Sequence, residues 1–427
     1  MYKFSAYMLL PLMLINLTVA ENRWTVLGLH PDQFIYAVTI GLAWYAGSLS
    51  RYRFLVTTAL MFAIVMRLLE VLGGGESLRE VSFTALAVVF AVAGAMIYGR
   101  NPLLLHKQLV IYLALCIPIM LLQILGVSSL LMGWNIGYLH DSSLLGLDEV
   151  GSFKDIPLYP TLFVGIDDLE FSTGQGRPVG LMYAANPLSV FISIAVAINL
   201  AITRTSRIRF SDIVVTIAIV LAMSKLSFGV TVLLYAGFLV FGERERRLLA
   251  LKLIVVLAIV LFSYYLLFPG LLIANFSEGM VMGAIMLRLM DLLRALGIAD
   301  SFGQLLELEY TYRQSNVYVV GEGYSSIATL LRSKLLIPSL FVMMAGVALY
   351  VRRVRNMASR PAMVYVITLL ACILTQFGVP FVGATSFQLI MGFALFPLFR
   401  KMWVPAHNEV SAIHAPQVLC NDFPRYE

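Results

Sequence analysis

Arg177-Pro-Val-Gly-Leu-Met-Tyr-Ala-Ala-Asn-Pro-Leu-Ser-Val-Phe-Ile-Ser-Ile-Ala-Val-Ala-Ile-Asn-Leu-Ala-Ile202 is the stretch that decides the fold. Its second part is an uncharged apolar run, and a helix needs roughly 20 such residues to cross the hydrocarbon of a bilayer. Besides this run at 181–202, comparable runs lie near 4–20, 33–49, 54–73, 82–98, 107–126, 211–224, 226–242, 250–275, 335–351, 363–380 and 384–399. Composition agrees: of 427 residues 60% are hydrophobic and 13% charged, and the mean hydropathy is +0.87, values that fit a chain whose main solvent is lipid. An all-α, polytopic integral membrane protein with about twelve transmembrane helices is therefore expected. The short break at Met223-Ser-Lys-Leu-Ser227 reads either as a tight hairpin or as a re-entrant turn.

Charge sets the expected orientation, because Lys and Arg concentrate in the cytoplasmic connections of membrane proteins. With the N-terminus inside, alternate connections collect Lys3, then Arg51 and Arg53, Arg100 and Lys107, Arg204, Arg207 and Arg209, then Arg244, Arg246, Arg247 and Lys252. Arg352, Arg353, Arg355, Arg360, Arg400, Lys401 and Arg425 complete the inner set, against only Asp212, Glu243, Glu245, Glu409, Asp422 and Glu427. The outer connections carry a net negative charge. The formal +6 is thus an orientation signal and not a nucleic-acid surface, and both termini are expected in the cytoplasm. Lys3, the apolar run after it and Thr18-Val-Ala20 also resemble a secretory leader with a cleavage site, an alternative to a retained first span. Cys116, Cys372 and Cys420 indicate neither a disulfide framework nor a metal site.

The division that follows is five helices in 1–126, a long outer loop at 127–180, four helices in 181–275, a second long outer loop at 276–334, three helices in 335–399 and a cytoplasmic tail at 400–427. Long loops need a reason, so function is expected on the outer face. The first loop is acidic, with Asp167, Asp168 and Glu170 as its densest cluster and His140 as its histidine. These read as solvated surface groups, with sugar or cation binding as the alternative. The second loop holds an amphipathic helix expected from Val281 to Leu296, which would set Arg288 and Arg294 near lipid headgroups.

Arg177, Lys225, Arg288, Arg294 and Arg313 form a set of outer-face cations able to hold a concentrated anion such as a pyrophosphate leaving group. The competing reading is that each snorkels to lipid phosphates or pairs with loop acids. Glu322, between two glycines, is the first candidate for a general base, against an exposed loop carboxylate. Asn186-Pro187 reads as a helix start, with Asn186 also placed to hydrogen-bond a sugar or phosphate. Arg67 and Glu70, three residues apart, are expected to neutralise each other within the bundle.

Arg177-x-x-Gly180 followed by Asn186-Pro187 and a helix resembles the characteristic region of the O-antigen polymerase and ligase superfamily. Ser224-Lys225-Leu-Ser-Phe-Gly229 stands where that family carries a Ser-Arg pair, Leu287-Arg288 to Arg294 resembles its Arg-bearing loop helix, and Gly321-Glu-Gly-Tyr-Ser-Ser326 its loop-ending motif. The resemblance covers about residues 160–350. Two positions depart from the pattern. Lys225 keeps the charge of the expected arginine but loses its bidentate fork, and the second loop lacks the histidine that ligases carry, its place being taken by Glu322, Gly323 and Tyr324.

The resemblance implies a polymerase of undecaprenyl-pyrophosphate-linked oligosaccharide repeats on the periplasmic side of a bacterial inner membrane, with a polysaccharide chain-length regulator as a partner. On this reading Arg177, Arg288 and Glu322 are the catalytic candidates and Asn186, Lys225, Arg294, Arg313 and Tyr324 bind substrate; no metal or other cofactor is required if the arginines neutralise the leaving group, with a cation at the outer acids as the alternative. An O-antigen ligase is the nearer alternative. A transporter or flippase of lipid-linked saccharides is the other, and it predicts charged residues along a path through the bilayer.

Overall fold

The structure, a computed structural model, describes residues 2–19, 31–73, 77–99, 101–124, 178, 180–181, 185–203, 205–267, 336–357, 359–378 and 385–399. Among these residues helix is the only regular structure. Before the first long connection come α1 (Tyr2–Val19), α2 (Pro31–Ser48), α3 (Arg53–Val71), α4 (Ser77–Tyr98) and α5 (Pro102–Ile124). Between the two long connections lie α6 (Ala185–Ile202), α7 (Phe210–Leu221), α8 (Lys225–Phe241) and α9 (Arg244–Leu267). After the second come α10 (Leu336–Arg355), α11 (Ser359–Gly378), α12 (Thr385–Ala394) and the short α13 (Phe396–Phe399).

A helix thus stands at each apolar run, and the last run divides in two at Leu395. Among the described residues, Arg53–Val71, Val81–Tyr98, Pro102–Leu122 and Arg244–Leu267 are long and apolar enough to cross a membrane. Phe4–Ile15, Leu188–Ile202, Phe210–Leu221, Lys225–Phe241 and Ala362–Thr375 are shorter apolar stretches, and the 12 residues of α7 rise only about 18 Å. The long loops lie outside the described residues apart from Pro178 and Gly180, as do the expected helix at 281–296 and the tail.

The basic connections gather at one end of the bundle. Tyr52, between Arg51 and Arg53, sets its ring edge-on to Phe399 at 5.6 Å. The Tyr365 hydroxyl donates to the Gly99 carbonyl at 2.5 Å, and Arg246 Nε donates to the Thr203 carbonyl at 3.4 Å. At the opposite end the chain reverses between α7 and α8, where the Tyr264 hydroxyl near the far end of α9 reaches Met223 in the turn. The break at 222–224 is therefore a reversal of the chain between two apolar helices.

α6 carries no charged residue, which suits a helix enclosed by others, and Leu188 to Ala201 are buried without interruption. Two helices cross closely where glycines face each other. A Cβ on Gly94 of α4 would lie 1.8 Å from the Leu389 carbonyl oxygen, and one on Gly392 of α12 would lie 1.9 Å from that of Ala91. Small residues at a crossing let membrane helices approach backbone to backbone. α1 is tied in by Gln108 Nε2, which donates to the Ala6 and Tyr7 carbonyls at 3.2 and 3.1 Å.

α3 is peripheral and fully buries only Val56 and Ala63. The Arg67–Glu70 pair forms at 2.5 Å, yet on the outer surface of the bundle: the side chains are 45% and 22% exposed. Glu70 continues the stripe of Val56 and Ala63 at the seven-residue interval, whereas Arg67 projects at its edge. The pair is therefore not enclosed by helices, as the sequence spacing alone implied.

Candidate functional site

The α7–α8 hairpin turns on strained backbone. Met223, buried, has φ +45, a left-handed conformation that costs a residue with a Cβ roughly 1 kcal/mol or more. The Tyr264 hydroxyl near the end of α9 donates to the Met223 sulfur at 3.2 Å and so links the turn to the neighbouring helix. Ser224 then caps α8, its hydroxyl oxygen accepting from the Ser227 amide at 3.5 Å. Lys225 is the first residue of α8 and is half-buried. A cation at a helix N-terminus adds to the positive end of the dipole, so an anion in front of α8 would be attracted by both.

The end of the first long loop meets the bundle at the same level. Pro178 and Gly180 are buried. Gly180 has φ +60, and a Cβ there would lie 3.1 Å from Cys116 Cβ and 3.3 Å from its Sγ. Both the conformation and the space therefore call for glycine. α6 begins at Ala185, which puts Asn186 and Pro187 in its first turn, a position where proline lacks only an amide that has no helical partner.

Measured by helical rise from the middle of the hydrogen-bond network described below, Cys116 and Met120 lie about 15–21 Å along α5 and Met223 about 16 Å along α7. Gly180, the start of α6 and the Ser224-Lys225 turn therefore occupy one end of the bundle at similar depth, below the outer end of α5. The N-termini of α6 and α8 both open onto that end. Arg177, Arg288, Arg294, Arg313, Glu322 and Tyr324 lie outside the described residues, as does the Asn186 side chain.

The opposite, basic end carries a buried polar network that sequence reasoning missed. Asn199 Nδ2 donates to Asp212 Oδ1 at 2.5 Å, and the Arg209 amide donates to Asp212 Oδ2 at 2.7 Å. A carboxylate can only accept here, so the Asn199 amide is fixed with Oδ1 facing away from it. That oxygen meets His106 Nε2 at 2.8 Å and accepts from Arg209 Nη2 and Ser211 Oγ, each at 3.0 Å. His106 therefore carries its proton on Nε2. Arg209 Nη2 also bonds the Thr203 hydroxyl. His106, Asn199, Thr203 and Asp212 are all buried, as is Arg246, whose Nη1 contacts the Met363 sulfur at 2.8 Å.

From sequence, Asp212 counts as an inner-loop acid; the fold places it at the third position of α7, where it caps the helix start. The available signal was Asn199 within an uncharged apolar run, on one helical face with Ser189, Ser193 and Thr203. Among the described residues no group of three or more His, Cys, Asp or Glu side chains is placed to hold a metal ion.

No protein-family model matches the chain, and no curated protein or solved structure matches it.

Proposed function

We propose that the chain is a membrane glycosyltransferase that polymerises undecaprenyl-pyrophosphate-linked oligosaccharide repeats, in O-antigen or a related polysaccharide, at the outer face of a bacterial inner membrane. It would have about twelve spans, with both termini in the cytoplasm. The observation that carries this reading is the seating of Gly180, the glycine that ends the Arg177-x-x-Gly180 motif. Its glycine is locked against α5 and its downstream Asn186-Pro187 opens α6, with Ser224-Lys225 at similar depth. In this account Arg177 and Arg288, assisted by Lys225, bind the donor pyrophosphate and stabilise the charge that develops as it leaves. Asn186, Arg294, Arg313 and Tyr324 complete the substrate contacts, and Glu322 takes the proton from the acceptor hydroxyl. Arginines that neutralise the leaving group make a metal unnecessary.

A transporter of lipid-linked saccharides is the second reading, favoured by the buried His106, Asn199, Asp212 and Arg246 among the helices. The ionisable members of that set lie at the basic end, whereas the transporter reading predicts charged residues along a path through the bilayer.

Complementation in a strain lacking its polymerase separates the readings. At matched expression the wild-type chain is expected to restore a lipopolysaccharide ladder, with Arg177→Ala and Arg288→Ala leaving a single capped repeat. Full ladders from both variants would remove the assigned site.

A further inference from the structure

Met223 is the one non-glycine residue with a positive φ among those described. Glycine adopts this left-handed conformation readily and a residue with a Cβ avoids it, and strained backbone of this kind concentrates at functional sites. What glycine could not supply is the side chain. The Met223 sulfur accepts the Tyr264 hydroxyl at 3.2 Å, and both residues are buried. Tyr264 continues the buried stripe of Leu253 and Leu257 on α9. A wholly apolar side chain would fill that place, so what the tyrosine adds is a hydroxyl with a partner in the turn.

The contact reaches the turn from outside the α7–α8 pair. Within the pair, the Met223 amide donates to the Val220 carbonyl at 3.2 Å and the Ala222 amide to that of Ala218 at 3.0 Å, which ties the turn to α7. On the other side the Ser227 hydroxyl and the Phe228 amide donate to the Ser224 carbonyl at 3.1 and 3.0 Å. Ser224, Lys225 and the first turn of α8 therefore move as one piece, joined to α7 through Met223. Fixing Met223 to α9 fixes the direction in which that piece is presented, and a binding group misplaced by about 1 Å loses much of its effect.

We infer that Tyr264 is a positioning residue for Lys225: its hydrogen bond to Met223 sets the α7–α8 turn at the depth and angle at which the Lys225 ammonium meets its anion. The inference rests on the reading of Lys225 as a contact of the donor pyrophosphate.

Isothermal titration of inorganic pyrophosphate into the purified full-length chain, run as a double-mutant cycle, tests it. Lys225→Ala is expected to weaken binding about tenfold, the loss of a charge-assisted contact. Tyr264→Phe should weaken it about threefold with thermal unfolding nearly unchanged, because the ring stays and a thioether is a weak acceptor. Met223→Leu keeps the bulk and removes the sulfur, so it should match Tyr264→Phe, and the two together should be no worse than either alone. In the Lys225→Ala background Tyr264→Phe should cause no further weakening. An equal threefold loss in that background would overturn the inference, as would wild-type affinity in Tyr264→Phe or a wild-type chain that does not bind pyrophosphate. Chain lengthening in proteoliposomes supplied with lipid-linked repeats reports on the polymerase reading separately. The expected cycle without lengthening removes that reading and leaves the positioning role; lengthening with an equal loss in both backgrounds does the reverse.

Discussion

Gly180 bears the most specific single-residue requirement at the candidate site. Its φ of +60 and the 3.1 Å approach to Cys116 both oppose a side chain, so Gly180→Ala should lower stability by about 1–2 kcal/mol. A downward shift in thermal unfolding of the detergent-solubilised protein would show it, together with a weakened ladder in cells. Asn199 is the counterpart at the basic end. Asn199→Leu would leave the Asp212 carboxylate without its 2.5 Å donor, a loss of about 2–4 kcal/mol for a buried charge. Asn199→Leu/Asp212→Leu should recover much of that loss, because it removes both partners. If the double variant proves no more stable than the single one in chemical denaturation, the network is not what holds α5, α6 and α7 together. At this scale the sequence was readable in part. Gly180 and Lys225 stood out by motif, whereas His106 and Asp212 did not, since their partners are 93 and 13 residues from them along the chain.

The helices themselves were legible because lipid imposes a length and an apolar composition that no local motif can hide. Which helices meet was not. The pairing of α4 with α12 rests on Gly94 and Gly392, ordinary glycines in the sequence that become essential only when the backbones cross. Gly94→Ala and Gly392→Ala should each cost about 1–3 kcal/mol or more, because the obstructing atoms are backbone and cannot rotate away. Gly237→Ala, at a position with open space around the Cβ, should be neutral or slightly stabilising. Retained thermal stability in all three would contradict the close crossing. The α7–α8 break was also ambiguous by hydropathy; the left-handed Met223 and its contact with Tyr264 of α9 show a reversal there.

Among the described residues, connections rich in Arg and Lys share one end of the bundle, and Gly180 and the Lys225 turn share the other. Single cysteines introduced at positions 51 and 207 should therefore react with an impermeant thiol reagent only after the cells are opened, whereas one at position 225 should react in cells with a permeable outer membrane. Labelling of all three from the same side would break the alternation. The long loops carry most of the expected chemistry, and their sequences lack the long apolar runs that made the membrane helices readable.

The most direct measurement of the central claim uses the purified chain in proteoliposomes supplied with undecaprenyl-pyrophosphate-linked repeats and a metal chelator. The account predicts lengthened lipid-linked saccharide together with released undecaprenyl pyrophosphate, both strongly reduced in Arg177→Ala. Movement of unextended repeats across the bilayer, with no lengthened product, would contradict it.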